Sequence, residues 1–570
     1  MKKIKIACII VAVTVLFAAL AACGGGGGGG GAAQTTAAAT EKPTTTTAKP
    51  AETTEKPAET TAASEAKSDD WRTPYEQTVK VTISNNDGKD GVFAEGEDIF
   101  NNLWTKRWKK LYNIEVETIW GSAEYKIKTN LAIASRELPD MFFCDPVQFQ
   151  QLLDADLLYD LTDVYNKYVY EPVKQRYESD MLAFDTCWRN GKLYSVPQLY
   201  YGRHEAQALW IKNNWYKEAG SPEIKLLSQF EDLMRTFMKD HDKKFAMPLN
   251  NKLDTFYNMT PTWHVFHEIW LDDGNGGCKY GDIQPEMKNM LETWARWYKE
   301  GLLRSDGVTL EWDVMMADVI NGEVGVLPAH NYAGWWWGKD IYQLYGEEAL
   351  LSSYEFPSVD GETVMYPFKF LQQYYNVCSK SCKNPEVLIK LNNDYFYVQN
   401  IAVKVGDMTI EEQLPFGAGN MHHMTGPFKL CHDEDKDIVE VWPAVNNNVK
   451  DPVFSTGYGI NYYNEIMKWV NYRDPVSLGR YLQMGSPDAP IYRAYLFYEQ
   501  GRYVYTKLWG PQPEVLDDLG EVLKEIMNEG FAKIITGIEP IDYFETLVDE
   551  WLKAGGAEVT KAVSEMYGGK

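Results

Sequence analysis

Cysteine is scarce in this chain of 570 residues, which contains eight. Cys8 and Cys23 lie near the N-terminus, and six others are scattered over the remaining sequence at positions 144, 187, 278, 378, 382 and 431. So few cysteines in so long a chain do not form a disulfide framework. Cys378 and Cys382 lack the second pair or the histidine that would complete a zinc tetrahedron, so we predict that both are structural.

Positive charge is also in deficit, with 56 Lys and Arg against 81 Asp and Glu and a formal net charge of −25. Such a surface repels phosphates, so we expect no nucleic-acid partner. The motifs G-x-S-x-G and H-E-x-x-H and the P-loop are absent, and we predict that the protein is not an enzyme. Carboxylate pairs carry little information among so many acids, so a secreted glycosidase remains an alternative.

A long apolar run is absent after the first 22 residues. At the N-terminus, Lys2, Lys3 and Lys5 precede an apolar run over 6–22, and small residues end it. This pattern predicts a secretory signal over residues 1–22. The run is shorter than the roughly 20 residues that a spanning helix needs. We therefore expect an exported protein with no membrane span of its own.

Leu20-Ala21-Ala22-Cys23 follows the apolar run directly and resembles the lipobox of bacterial lipoproteins. The resemblance implies that Cys23 is the lipidation site and carries a diacylglyceryl group, with a further acyl chain such as palmitate on the new amino group. Two or more chains on one residue give stable anchoring. We therefore expect the protein at the outer face of the cell membrane. An ordinary signal with an accidental cysteine is the alternative.

Aliphatic residues larger than alanine are missing from the whole segment 24–70. Eight glycines come first, and a stretch rich in Thr, Pro and Ala follows. A segment with so little to bury cannot offset the entropy of ordering itself. We predict that residues 23–70 form a disordered, lipid-anchored linker.

Strand and helix patterns alternate where the linker ends. Strands are predicted at 79–84, 114–120 and 140–144, and helical spacing is found at 96–112 and 125–135. This order predicts an α/β fold with a parallel sheet and crossover helices. Ligands bind at the carboxyl ends of the strands in such sheets, which here include Trp120 and Asp145.

Five sequence blocks in fixed order carry a family resemblance. Residues 134–168 (ASRELPDMFFCDPVQFQQLLDADLLYDLTDVYNKY) are followed by WRNGKLYSVPQ (188–198), LWIKNNWYKEAG (209–220), WYKEGLLRSD (297–306) and INGEVGVLPAH (320–330). By these blocks the chain is identified as a member of the extracellular solute-binding lipoproteins of ABC importers, and it resembles the carbohydrate-type, LipO-like proteins of family 1.

The resemblance implies a periplasmic-binding-protein-like fold of type 2, with two α/β lobes joined by hinge-crossing strands. The first lobe would comprise residues 71–206 and about 373–450, and the second 207–372 and about 451–570. The implied function is capture of a carbohydrate, and we expect an oligosaccharide, for delivery to ABC permease subunits by a monomer. Binding of peptides or other small solutes remains an alternative, as does a lipoprotein adhesin or scaffold.

A sugar site needs aromatic plates for the C–H face of the ring and polar groups for its hydroxyls, because an unpaired buried polar group costs about 1–3 kcal/mol. VGVLPAHNYAGWWWGKD, residues 324–340, offers both after an apolar strand, and we place the three tryptophans on a loop. The candidate ligand-binding residues are His330, Asn331, Tyr332, Trp335, Trp336 and Trp337, with Trp120, Asp145, Tyr201, Arg203 and Tyr374 facing them. The alternative is that all three tryptophans pack in the core.

Calcium is the one cofactor that the family suggests. The corresponding stretch, 238–250, keeps Asp240 and Asp242 but lacks the glycine turn and closing acid of a calcium loop. A second cluster at 271–282 misses the EF-hand spacing and predicts a surface turn. We therefore predict no cofactor and no metal, with calcium as the less favoured alternative.

Overall fold

The alternation of Val79, Val81 and Ile83 produces the first strand in a computed structural model of the protein, Val79–Asn85 (β1). The structure describes residues 70–89, 93–179, 181–199, 206–369, 374–417, 424–430, 434–450, 452–454, 456–510 and 512–569. The predicted signal and linker with Cys23, and the candidates Tyr201 and Arg203, lie outside these residues.

The first part of the chain alternates strands and helices. Its elements are β1, α1 (Leu103–Tyr112), β2 (Ile114–Gly121), α2 (Tyr125–Ser135), β3 (Met141–Cys144), α3 (Pro146–Asp154), α4 (Thr162–Tyr168), α5 (Glu171–Glu178), α6 (Met181–Asp185), β4 (Trp188–Arg189), β5 (Lys192–Leu193) and β6 (Ser195–Pro197). β1 pairs in parallel with β2 and β3, so the predicted parallel sheet is confirmed.

Helix α1 begins later than the apolar spacing predicts. The Asn102 side chain accepts hydrogen bonds from the backbone N–H groups of Trp104 (3.0 Å) and Thr105 (3.4 Å) and starts the helix at Leu103. An asparagine cap satisfies N–H groups that have no partner within the helix. Ile99 therefore packs from the preceding loop, where the sequence had suggested helix from residue 96.

The middle of the chain builds a second sheet. Its elements are β7 (Gln207–Lys212), α7 (Asn213–Glu218), α8 (Leu227–Asp240), α9 (Asp254–Asn258), β8 (Trp270–Asp272), β9 (Cys278–Tyr280), α10 (Pro285–Glu300), α11 (Trp312–Ile320), β10 (Val326–His330), α12 (Gly334–Tyr345), β11 (Leu351–Tyr354) and β12 (Tyr366–Phe368). β7 lies between β10 and β11, and both pairings are antiparallel.

The last part of the chain adds one strand to the first sheet, forms a separate two-stranded sheet with β12, and is otherwise helical. Its elements are β13 (Tyr375–Cys378), α13 (Glu386–Asn400), α14 (Ile410–Gly417), α15 (Glu434–Asn446), α16 (Gly457–Tyr472), α17 (Leu478–Arg480), α18 (Pro490–Glu499), β14 (Tyr503–Tyr505), α19 (Glu514–Thr536), α20 (Tyr543–Trp551) and α21 (Ala557–Tyr567). β13 joins the first sheet, giving the order β2-β1-β3-β13-β6, while β14 pairs with β12. No helix among the described residues is long and apolar enough to cross a membrane.

Two hydrophobic cores follow from these sheets. The first core gathers buried side chains from Trp71–Leu199 and Tyr375–Leu430. The second core lies on both faces of the β10-β7-β11 sheet, because alternate residues such as Leu209 and Trp210 point to opposite sides. It also takes in the C-terminal helices through residues such as Trp551.

Residues 434–446, which the sequence analysis assigned to the first lobe, pack elsewhere. Ile438 and Val441 of α15 contact Ile466 and Ile491 from α16 and α18. Trp469 of α16 in turn belongs to the second core. The apolar stripe of α15 therefore faces a helical layer beside the second core.

Asp394 is a buried charge that ties α1 to α13 within the first core. Its fully buried carboxylate accepts from Arg107 Nε and Nη2 (2.9 Å each), Trp108 Nε1 (3.1 Å) and the Tyr112 hydroxyl (2.5 Å). Burial, together with this carboxylate, raises the pKa of Tyr112 above its ordinary value. A buried charge is tolerated when its partners satisfy all of its lone pairs, as they do here.

We predict that Asp394→Asn destabilises the protein by about 3–5 kcal/mol, because Arg107 would keep its charge without a counter-ion. Urea unfolding followed by circular dichroism measures the loss. The matched control is Asp156→Asn, which removes the partner of Lys380 in an ion pair with exposed side chains. That variant should change the stability by less than about 1 kcal/mol. Equal losses in the two variants would contradict the structural role of Asp394.

Candidate ligand site

The three consecutive tryptophans lie on the first turn of α12, where the sequence analysis had placed a loop. Strand β10 ends at His330, and α12 begins only four residues later at Gly334. Consecutive side chains on a helix point about 100° apart. Trp335, Trp336 and Trp337 therefore point in three different directions.

Trp337 is part of the second core, and its prediction as a ligand-binding residue is wrong. Its side chain is fully buried and packs edge-on against Trp210, with ring centres 5.3 Å apart. The reason is the helical geometry, which turns one of three consecutive side chains toward the sheet beneath. Trp337 attaches α12 to β7 and cannot reach a ligand.

Trp336 lines a pocket with three other rings. It meets Trp312 (5.2 Å, 89°) and Tyr332 (5.5 Å, 86°) edge to face, while His330 stacks on Tyr332 (5.0 Å, 3°). These arrangements are the favoured ones for aromatic pairs. The pocket has a volume of about 160 Å³ and is completed by Met315, Met316, Leu327, Pro328, Ala329 and the polar residues Asp254, Thr255 and Asn258. We call it the Trp336 pocket.

The polar groups of the Trp336 pocket suit a ligand with hydroxyl groups. Asp254 begins α9, and its carboxylate accepts a hydrogen bond from Asn250 Nδ2 (2.6 Å). Burial lowers the pKa of His330, and the positive charge of Lys369 lowers it further against the opposing effect of Asp254. A neutral imidazole presents one donor and one acceptor, and a hydroxyl group can use either.

Asn331 supports the neighbouring helix and does not line the pocket. Only 3% of its surface is exposed, and its Oδ1 accepts from Gln483 Nε2 (3.4 Å). The prediction that Asn331 contacts ligand is therefore corrected to a supporting role. Trp335, by contrast, is 41% exposed and points away from the Trp336 pocket.

A second aromatic group lies at the carboxyl ends of β2 and β3 beside the first core. Tyr125 and Phe143 stack at 3.9 Å, Trp120 meets Tyr125 at 5.2 Å, and Tyr374 meets the edge of Phe143 at 5.2 Å. Tyr374 is 39% exposed and Trp120 is half-buried. We call these four residues the aromatic ledge. It is the part of the parallel sheet where ligands are expected.

Asp145 has two local functions at the side of the ledge. It caps α3 by accepting from the backbone N–H of Gln148 (2.8 Å), and it forms an ion pair with Lys126 (3.3 Å). Its charge adds to the effect of burial in raising the pKa of Tyr374, which therefore stays a hydrogen-bond donor at neutral pH.

Lys126 joins the two cores. Besides Asp145, it pairs with Asp517 (3.1 Å) in the first turn of α19, a helix of the second core. More than half of the Lys126 side chain is exposed, so the pair adds little to stability and is weakened by salt. Its position matters more, because it connects the side of the ledge to the second core.

Lys369, whose charge acts on His330 of the Trp336 pocket, is close in the chain to the ledge. Lys369, which lowers the pKa of His330, and Tyr374 of the ledge are five residues apart. Five extended residues span at most about 18 Å. Lys369 and the ledge residue Tyr374 are thus within that reach of one another.

Of the two regions considered for calcium, the second uses a carboxylate within its own turn. Asp240 ends α8, and Asp242 follows in a turn with φ 50°. Asp273 accepts from the backbone N–H groups of Asn275 (2.7 Å) and Gly277 (2.8 Å) in the turn between β8 and β9. Within the described residues, no three His, Cys, Asp or Glu side chains are placed to hold a metal ion.

Sequence reasoning missed several residues of these surfaces. Trp312, Asp254, Tyr125 and Phe143 had no signal of their own, because aromatic residues and acids are common throughout this chain. The one clue was position, since Tyr125 and Phe143 lie next to strand ends that the sequence had already marked.

Comparison with known proteins agrees with this arrangement. A model of the family described as "Bacterial extracellular solute-binding protein" matches residues 91–350. Lipoprotein LipO of Bacillus subtilis (strain 168) is 23% identical over 241 residues, which are 39% of this chain and 45% of that protein. The chain thus aligns with less than half the length of this curated relative.

Three solved structures share the fold, each covering 86% of this chain and 98% of its own. They are the alginate-binding protein AlgQ2 without calcium ion (14% identity, TM-score 0.55), an HMO-binding, ABC-transporter-associated solute-binding protein from Bifidobacterium longum infantis ATCC 15697 (13%, 0.56), and the S. pneumoniae ABC-transporter substrate-binding protein FusA with kestose (12%, 0.52). Identities this low establish a common fold only, and the predicted two-lobed α/β fold is confirmed. Residues 91–350 thus match the family of bacterial extracellular solute-binding proteins, and the chain shares the fold of the three solved structures.

Proposed function

We propose that the protein captures an oligosaccharide between its lobes and delivers it to the permease of an ABC importer. The observation that carries this proposal is the pair of aromatic groups, one beside each core. The Trp336 pocket and the aromatic ledge each combine ring faces or edges with polar groups. Sugar rings need both kinds of contact.

The chemistry of the Trp336 pocket favours sugars over peptides. Its ring walls fit the flat C–H face of a sugar, and Asp254, Asn258 and His330 supply acceptors and donors for hydroxyl groups at the rim. A buried polar group left without a partner costs about 1–3 kcal/mol, so this set of groups selects ligands that satisfy all of them. The structural neighbours named above include an alginate-binding protein, an HMO-binding protein and a protein in complex with kestose.

Capture would involve closure of one lobe on the other. In this proposal the first lobe comprises residues 71–199 and 374–430, and the second comprises 206–369 and 434–569, following the two cores. A ligand that contacts both lobes binds the closed form better and shifts the population toward it. The Lys126–Asp517 ion pair is one contact that closure would make or tighten.

The proposed location of the protein in the cell rests on its N-terminal residues. Export through the signal over 1–22 and acylation of Cys23 would hold the protein at the outer face of the membrane, where the permease receives its solute. The similarity to Lipoprotein LipO supports this assignment. The segment 24–70 would be a flexible spacer that lets a monomeric trap move between free solute and permease.

The first test is a thermal-shift panel of neutral and acidic oligosaccharides, amino acids and peptides. We expect stabilisation by at least one oligosaccharide class, of about 2.7 kcal/mol at 100 times its dissociation constant. The same mixtures, analysed by chromatography after incubation, should contain the sugar unchanged. Stabilisation by peptides alone would overturn the sugar assignment, and hydrolysis of the sugar would favour a glycosidase.

A second test concerns the anchor. Cys23→Ser removes the thiol that would be acylated, so the variant should appear in the culture medium while the parent stays with the membrane fraction. Labelling with an alkyne fatty acid provides the direct readout. Cys8→Ser, within the predicted signal, is the matched control and should keep its label. A Cys23→Ser protein that still incorporates the fatty acid would contradict this assignment.

A further inference from the structure

We infer that the exposed part of Trp335 is an outer subsite for an additional sugar ring, separate from the Trp336 pocket. This inference rests on the proposed function and deepens it. With two ring-binding positions on one helix, the protein would prefer longer oligosaccharides to disaccharides. The evidence is the way Trp335 is held in place.

One face of the Trp335 indole lies directly on the backbone of Gly479. A Cβ atom added at Gly479 would lie 2.5 Å from the indole Cδ2, so only glycine permits this contact. Despite this covered face, 41% of the Trp335 surface remains exposed. The uncovered part of the indole is therefore in contact with solvent.

Polar contacts fix the ring in that orientation. Trp335 Nε1 donates to Gln483 Oε1 (3.1 Å), and Arg480 Nη1 donates to the same oxygen (3.0 Å). The Arg480 guanidinium lies 5.1 Å from the Trp335 ring centre and 4.2 Å from that of Tyr462, so it binds both rings by cation–π contacts. Single exposed apolar residues are common on proteins, but this one is held by Gly479, Gln483 and Arg480.

A rigid, exposed plate is the form that a ring-binding subsite takes. Because the indole is already ordered, a ligand that stacks on it does not pay the side-chain entropy that ordering normally costs. Glu465, which pairs with Arg480 (3.3 Å) and keeps a third of its side chain exposed, supplies an acceptor for hydroxyl groups at the ring edge. The ligand class is thus a neutral sugar ring with one apolar face.

The outer subsite is connected to the Trp336 pocket through the helix and through Gln483. Trp335 and Trp336 are adjacent on α12 and point about 100° apart, so their plates flank the beginning of one helix. Gln483 also bonds Asn331 (3.4 Å), which follows β10 directly. One ligand could then occupy the pocket with one ring and the outer plate with another.

The test measures affinity against ligand length. Isothermal titration would use the maltodextrin and fructo-oligosaccharide series, from the disaccharide to the heptasaccharide. For the parent protein we expect affinity to rise by about tenfold as the chain becomes long enough to reach Trp335. Trp335→Ala should remove this rise and weaken disaccharide binding less than twofold. Trp336→Ala should weaken all lengths.

Two further variants separate ring binding from folding. Trp335→Phe keeps an aromatic plate and should retain most of the length dependence. Gly479→Ala keeps Trp335 but displaces its ring, so it should lose the length dependence. An affinity that is flat with length in the parent, or a Trp335→Ala protein with the parental profile, would overturn the outer subsite. Failure of every sugar in both series to bind the parent would instead contradict the proposed function, on which this inference rests.

Discussion

The contact between Trp337 and Trp210 determines the geometry of the candidate ligand-binding surface beside the second core. It attaches the first turn of α12 to the central strand β7 through two buried rings 5.3 Å apart. With Trp337 fixed inward, the helical angle of about 100° per residue sets the directions of Trp336 and Trp335. A single packing contact thus orients one ring into the pocket and one toward solvent.

Much of the fold could be predicted because its signals are local. The alternation in β1 and the spacing in α2 depend on neighbouring residues, and both elements lie where the sequence placed them. The pocket position of His330, Tyr332 and Trp336 likewise follows from one short segment after a strand. The role of Trp337 could not be predicted in this way, because three adjacent tryptophans show neither helical nor strand spacing. The sequence analysis assigned them to a loop and so did not apply the angle of about 100° that separates their side chains on a helix.

Contacts between distant parts of the chain could not be predicted from the sequence. Gln483 reaches Trp335 across nearly 150 residues, and Lys126 reaches Asp517 across almost 400. Such pairs depend on how the helices pack in the second core. A single sequence with abundant aromatic residues and acids does not show which distant residues are partners. The same reason explains why the packing of α15 against α16 and α18 was not predicted.

The central claim is that an oligosaccharide binds between the Trp336 pocket and the aromatic ledge. The most direct measurement is a crystal structure of the protein with the oligosaccharide that stabilises it most. We expect a sugar ring in contact with Trp336 and a second contact at the ledge, through Tyr374. An oligosaccharide bound elsewhere, for example in the surface pocket lined by Arg189, Asp154 and Tyr194, would contradict the account.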